Sequence, residues 1–214
     1  AGGAIDFADA VRLVAGRGRL MQAAVPEGTG AMAAILGLDD EQVRAACAQA
    51  AAGEVVEAVN YNSPGQVVIA GHAGAVARAL EAAKAAGAKR AVALPVSVPS
   101  HCALMRPAAE QLAQRLAATA IQLPRIPVLH NVDVAVSTTP DALRERLARQ
   151  LYSPVRWVET VQRLAAEGVT LVVEAGPGKV LAGLHKRIDK NVESGAVYDP
   201  AGLAAALEAS HARE

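Results

Sequence analysis

The chain of 214 residues carries 21 basic and 21 acidic side chains, a formal charge of zero, which argues against a nucleic-acid protein held by phosphate neutralisation. A chain this long buries roughly 70% of its unfolded surface and needs no disulfide or metal to fold, so Cys47 and Cys102, in no metal-ligand spacing, read as reduced thiols of a cytoplasmic protein. No apolar run approaches the ~20 residues that span a bilayer and no signal-peptide pattern opens the sequence, so a soluble intracellular protein with no membrane partner is expected.

The N-terminal stretch AGGAIDFADAVRLVAGRGRLMQ has no initiator Met and enters at once into a helical pattern. Asp6 is placed to cap it, and Phe7, Val11 and Val14 form one apolar stripe. Two similar units follow between Gly30 and Val98: GAMAAILG, LDDEQVRAACAQAAA and VVEAVNYN, then GQVVIAGH, AGAVARALEAAKAAGA and KRAVALPVSV. Each is an apolar β run, an Ala-rich helix and another β run, the split βαβ doublet of a ferredoxin-like module. The turn between them is NSPG, where Asn62 and Gly65 tolerate positive φ and Pro64 fixes its own.

Beyond His101 the pattern alternates helix and strand. Leu104, Ala108, Leu112 and Leu116 give a helix one apolar face, and IPVLHNVDV is a short β run. Thr139-Pro140 and Ser153-Pro154 each read as the opening of a helix, with proline at the first helical position. TLVVEAGPG is a continuous apolar strand expected to be buried on both faces, as parallel strands are. It feeds the helix KVLAGLHKRI, and SGAVYD and residues 201–209 supply a last strand and a last helix. The class is therefore α/β, with a parallel-sheet layer around a small inserted subdomain.

Few residues suggest chemistry. His101, in LPVSVPSHCALMRP, is delivered by a β run to a position where clefts open in α/β sheets, as a general base requires; a cap for the following helix is the competing reading. Arg17, between Gly16 and Gly18, offers a fork that pairs both oxygens of a carboxylate, or else a solvated helix end. GPGK at Gly176–Lys179 lacks the spacing of a phosphate loop, and Val180 stands where Ser or Thr would follow, so a tight turn is the better account. No serine lies in Gly-x-Ser-x-Gly. The pairs Lys89-Arg90 and Lys186-Arg187 read as solvated surface or as a basic docking face.

Taken in order, AIDFADAVRLVAGRGRLMQAAVPEGTGAMAAILG, NYNSPGQVVIAG, LPVSVPSHCALM, RQLYSPVRW and EAGPGKVLAGL resemble the malonyl-CoA:acyl carrier protein transacylases of fatty-acid synthesis, from Ile5 to about Leu207. The resemblance implies an α/β-hydrolase-like domain, 1–27 and 99–214, incomplete at its N-terminus, with the ferredoxin-like insertion at 28–98. It implies ping-pong transfer of malonyl from coenzyme A through a serine to the pantetheine thiol of the carrier. His101 is then the base and the backbone carbonyl of Gln150 orients it. Arg17 grips the malonyl carboxylate, Met21 lies beside the acyl pocket, Ser100 helps to set the extender, and Asn62 is a polar position near the cleft. Carrier protein, whose surface is typically acidic, is expected to dock on Lys89, Arg90, Lys186 and Arg187. No cofactor and no metal are implied, malonyl-CoA being substrate.

The sequence departs from the family pattern in one respect: the segments Gly-Gln-Gly-Ser-Gln and Gly-His-Ser-x-Gly, which supply an oxyanion donor and the nucleophile, are absent. One oxyanion donor alone contributes ~10² to 10³ in rate, so the 214 residues by themselves are expected to be inactive and poorly stable, the serine lying in a further segment or chain. A polyketide acyltransferase with another extender and a non-catalytic carrier-binding module are the alternative readings.

Overall fold

The computed structural model describes residues 2–96 and 98–212. The chain divides into two compact units, Ala1–Tyr61 with Gly65–Arg156, and Asn62–Pro64 with Trp157–Glu214.

In the larger unit, α1 (Phe7–Ala23) starts where Asp6 accepts from the amides of Ala8 and Asp9. The doublet follows: β1 (Gly30–Leu36), α2 (Asp40–Ala50), β2 (Val56–Ser63), β3 (Gln66–His72), α3 (Ala73–Ala85) and β4 (Arg90–Ala93). Asp39 and Gln42 close a reciprocal cap at the start of α2, and the β2–β3 turn uses Gly65 at φ 71°. The sheet order is β2-β3-β1-β4, with β1 antiparallel to both β3 and β4.

Alternation along the strands builds two cores. Ala33, Ile35, Val67, Ile69, Val56 and Ala58 pack with Val43, Val76 and Ala79 of α2 and α3. The opposite side chains, Met32, Val68, Ala70 and Val59, pack on Cys102. The unit continues with a 3₁₀ turn (Ala103–Met105), α4 (Arg106–Ala117), the short pair β5 (Leu129–His130) and β6 (Ala135–Val136), and α5 (Pro140–Arg149). Thr139 caps α5 by accepting from Ala142 N at 3.1 Å. A third core joins α1, α4 and α5 through Leu20, Met105, Leu112, Leu116, Leu143 and Leu151, each large side chain contributing about 1.5–3 kcal/mol by burial.

The smaller unit holds α6 (Trp157–Ala166), β7 (Leu171–Ala175), α7 (Val180–Ile188), β8 (Glu193–Val197) and α8 (Pro200–His211), with β7 and β8 parallel. The described chain is thus mixed α/β, with antiparallel and parallel sheets.

Three expectations are corrected. The α1 stripe is exposed, Phe7 at 82%, Val11 at 52% and Val14 at 69%, because α1 turns Gly16, Leu20 and Met21 inward instead. β7 is not buried on both faces: Val173 is 39% exposed and no β7 side chain is fully covered, since among the described residues its only strand partner is β8. Ser153-Pro154 does not open a helix. Val155 runs parallel to β2 instead, its N donating to Val59 O at 2.8 Å and its O accepting from Tyr61 N at 3.0 Å, and this backbone pairing delays α6 to Trp157.

Candidate active site

The chain reaches the site along β1. Beyond β4, Leu94 N donates to Met32 O at 2.9 Å, and farther on the fully buried Pro99 ring lies against Gly30. Ser100, half-buried, donates its amide to Val98 O at 2.9 Å. The next residue, His101, has φ 68°, a left-handed conformation that costs a side-chain-bearing residue roughly 1–2 kcal/mol. The backbone following α5 holds it there, His101 N donating to Leu151 O at 2.9 Å.

The imidazole is fixed as well. Nδ1 lies 2.7 Å from Gln150 O, and since a carbonyl oxygen only accepts, Nδ1 carries the proton and the neutral ring leaves Nε2 as an acceptor. His101 does not cap the following helix: neither the 3₁₀ turn nor α4 has a side-chain cap, and the Ala103 amide is bonded to Glu57 of β2. Burial lowers the His101 pKa below its ordinary value, the backbone of Gln150 and, less strongly, that of Ser153 oppose that shift, and the Arg17 guanidinium adds to it by like-charge repulsion. A half-buried imidazole with a lowered pKa and one defined tautomer suits proton abstraction.

That repulsion also puts Arg17 within electrostatic reach of His101. Arg17 sits on α1, its Nε buried with no hydrogen-bond partner among the described residues, and desolvation lowers its pKa. A guanidinium with an unpaired buried N–H is prepared to receive an anion. On one side Gly16 leaves room for the Arg115 guanidinium of α4, and on the other Gly18 has nothing within 4 Å of where a Cβ would stand.

Met21, one turn beyond, is buried with Leu20, Met105 and Leu112. Asn62 is half-buried on β2 and belongs to the smaller unit's short segment. Lys89 and Arg90 are exposed where the chain enters β4, the Lys89 stem lying over Gly37. Lys186 and Arg187 are exposed in the last turn of α7. Sequence reasoning did not find Leu151, Glu57 or Gly30, which act through a backbone carbonyl, an amide contact and an absent side chain. Of these only Glu57 had a signal, a carboxylate at a half-buried strand position. Among the described residues no three His, Cys, Asp or Glu side chains gather to hold a metal ion.

Residues 1–206 match the acyl transferase domain family. The chain belongs to that family. This acyltransferase chain is 61% identical over 206 residues to the malonyl CoA-acyl carrier protein transacylase of Escherichia coli K12, an alignment covering 96% of the chain and 67% of that relative. The transacylase of Bacillus subtilis is 47% identical over 209 residues, 97% and 66% of the two chains. Among solved structures, the acyl carrier protein S-malonyltransferase of Vibrio cholerae superposes with TM-score 0.94 at 60% identity, covering 96% of this chain and 67% of its own. A chain from the complex of a type II polyketide acyl-carrier protein with its malonyl-transacylase gives 0.95 at 56% identity, with 97% and 67% covered. The acyltransferase chain thus spans about two thirds of the length of these relatives.

Proposed function

We propose that this chain is the base- and carboxylate-bearing part of an enzyme that transfers malonyl from coenzyme A to the phosphopantetheine thiol of acyl carrier protein in fatty-acid biosynthesis. The observation that carries the reading is the 2.7 Å contact between His101 Nδ1 and Gln150 O, which makes Nε2 the proton-accepting nitrogen of the neutral ring. In the ping-pong scheme Nε2 deprotonates a serine lying outside these residues, the serine attacks the malonyl thioester, and coenzyme A leaves as its thiol with the proton returned by the imidazolium. The carrier thiol then repeats the exchange. The Gln150 carbonyl stabilises the imidazolium in each half-reaction, the role an acid plays in a Ser-His-Asp triad. Arg17 holds the substrate carboxylate, with Met21, Ser100 and Asn62 shaping the pocket. The exposed pairs Lys89-Arg90 and Lys186-Arg187 are the proposed landing points for an acidic carrier.

The βαββαβ order with strands 2-3-1-4 supports a ferredoxin-like subdomain, placed at 28–98, and the parallel β7–β8 pair flanked by helices supports an α/β-hydrolase-like domain formed by 1–27 and 99–214. Among the described residues no helix is long and apolar enough to cross a membrane, in keeping with a cytoplasmic enzyme.

The test is malonyl transfer by the full-length enzyme that contains this chain. His101→Ala is expected to lower kcat about 10²- to 10⁴-fold, the usual worth of a positioned base. Wild-type protein that bound carrier but transferred nothing would favour a non-catalytic carrier-binding module, and preference for another acyl-CoA would favour a polyketide extender.

A further inference from the structure

We infer that Gly30, on the first strand of the βαββαβ subdomain, is a positioning residue for His101, acting through the Pro99 ring. The inference rests on the reading of His101 as the base and adds the device that aims it. Gly30 is buried at the start of β1. A Cβ built on it would overlap Cδ and Cγ of Pro99 and meet Pro99 Cβ at 3.1 Å. Its φ is not in the left-handed region, so the backbone would accept any residue. What requires glycine is the proline pressed on it.

Pro99 cannot move aside easily. It is fully buried, its φ is locked by its ring, and its carbonyl accepts from Cys102 Sγ at 3.1 Å. Cys102 is itself buried against Met32, Val59, Val68 and Ala70 on the underside of the sheet. The left-handed His101 therefore stands between two anchors that both rest on the sheet, while its amide and Nδ1 reach Leu151 O and Gln150 O. The segment that carries those two carbonyls is tied to the same sheet, through Val155 N to Val59 O at 2.8 Å. Base and orienting carbonyl are both referenced to the subdomain sheet, the base through the contact of the Pro99 ring with Gly30 two residues before it. A methyl group at position 30 lifts Pro99 and carries His101 away from the Gln150 carbonyl.

The test uses the full-length enzyme and two readouts: malonyl-transfer kinetics, and the proton resonance of His101 Nδ1–H, assigned by its loss in His101→Gln. Gly30→Ala is expected to lower kcat about 10- to 100-fold, the scale of an ångström-level misplacement, with KM for malonyl-CoA unchanged within about twofold, and to shift or broaden the Nδ1–H signal. Pro99→Ala deletes the two ring atoms that a methyl at position 30 would strike, so Gly30→Ala/Pro99→Ala is expected to recover the signal and to lose less kcat than the two single losses multiplied. A Gly30→Ala enzyme with unaltered kcat and resonance, or a double variant without recovery, overturns the inference. If Gly30→Ala does not fold, the double variant decides: folded with the resonance present supports the inference, and any other result rejects it. Full turnover in His101→Gln would remove the catalytic reading while the resonance still decided whether Gly30 sets the ring.

Discussion

Replacing Arg17 by alanine separates carboxylate recognition from chemistry. In the folded chain Arg17 Nε is already buried and unpaired, so much of the desolvation that opposes a buried ion pair has been met during folding. A carboxylate entering the site then gains two charge-assisted hydrogen bonds at about 1.5–3 kcal/mol each. Their loss amounts to about 3–6 kcal/mol, or about 10²- to 10⁴-fold in kcat/KM for malonyl-CoA in the full-length enzyme. Acetyl-CoA has no carboxylate, so its kcat/KM is expected to stay level or rise as a buried cation is removed from beside its methyl group. Arg17→Lys keeps the charge but not the fork, and is expected to fall between. The assay is acyl loading from each thioester, compared as a ratio of kcat/KM values. Because Arg17 lowers the His101 pKa, Arg17→Ala is also expected to move the acid limb of the acetyl profile to higher pH. Equal losses on malonyl and acetyl substrates, with an unmoved acid limb, would refute the reasoning.

Three further outcomes are expected. Gly71→Ala should cost about 3–5 kcal/mol in urea denaturation: the new Cβ would overlap Val55 O and stand 2.7 Å from Val56 Cα, adding overpacking of about 1–3 kcal/mol to the disturbed bonds from His72 N to Val55 O and from Val55 N to His72 Nδ1, each about 1 kcal/mol; a loss under 1 kcal/mol would contradict that geometry. The folded-state pKa of His101 lies below the unfolded value of 6.5, so between the two the unfolded chain binds the extra proton and stability falls as pH drops through that window. The slope is at most about 1.4 kcal/mol per pH unit, and comparison with His101→Gln at pH 7 and pH 5 isolates it, parallel curves disproving the shift. Reversing charge at Lys89 and Arg90, or at Lys186 and Arg187, should raise KM for carrier protein and spare hydrolysis of malonyl-CoA; an unchanged KM at either pair removes that pair from the docking surface.

The doublet between Gly30 and Ala93 was legible because its strands alternate with period two while its helices follow the 3.6 period, and both patterns report burial in a sheet with helices on one face. Strand order was not legible, since the pairing of β1 with β3 and β4 is a choice among long-range partners that no local pattern records. α1 misled: Phe7, Val11 and Val14 have an ideal spacing, yet packing with α4 selected the other apolar face, carrying Gly16, Leu20 and Met21. Ser153-Pro154 misled in the same way, because a free strand edge at β2 outweighed a good local helix signal. In the site, His101 and Arg17 were visible as residue types suited to proton transfer and carboxylate pairing. What orients them was not, since the carbonyls of Gln150 and Leu151 could have come from any residue, and Gly30 contributes by lacking a side chain.

The two thiols carry a practical consequence. Cys47 on α2 and Cys102 beside the base are both buried, and burial pushes their pKa values up to about 12 and about 11, so neither offers thiolate to an electrophile at neutral pH. Alkylating agents will therefore find no reactive sulfur in this chain while it is native. Labelling will instead wait for each to be uncovered, Cys47 timing the opening of the helix layer and Cys102 that of the loop bearing the imidazole, two built-in clocks one substitution apart from being read separately.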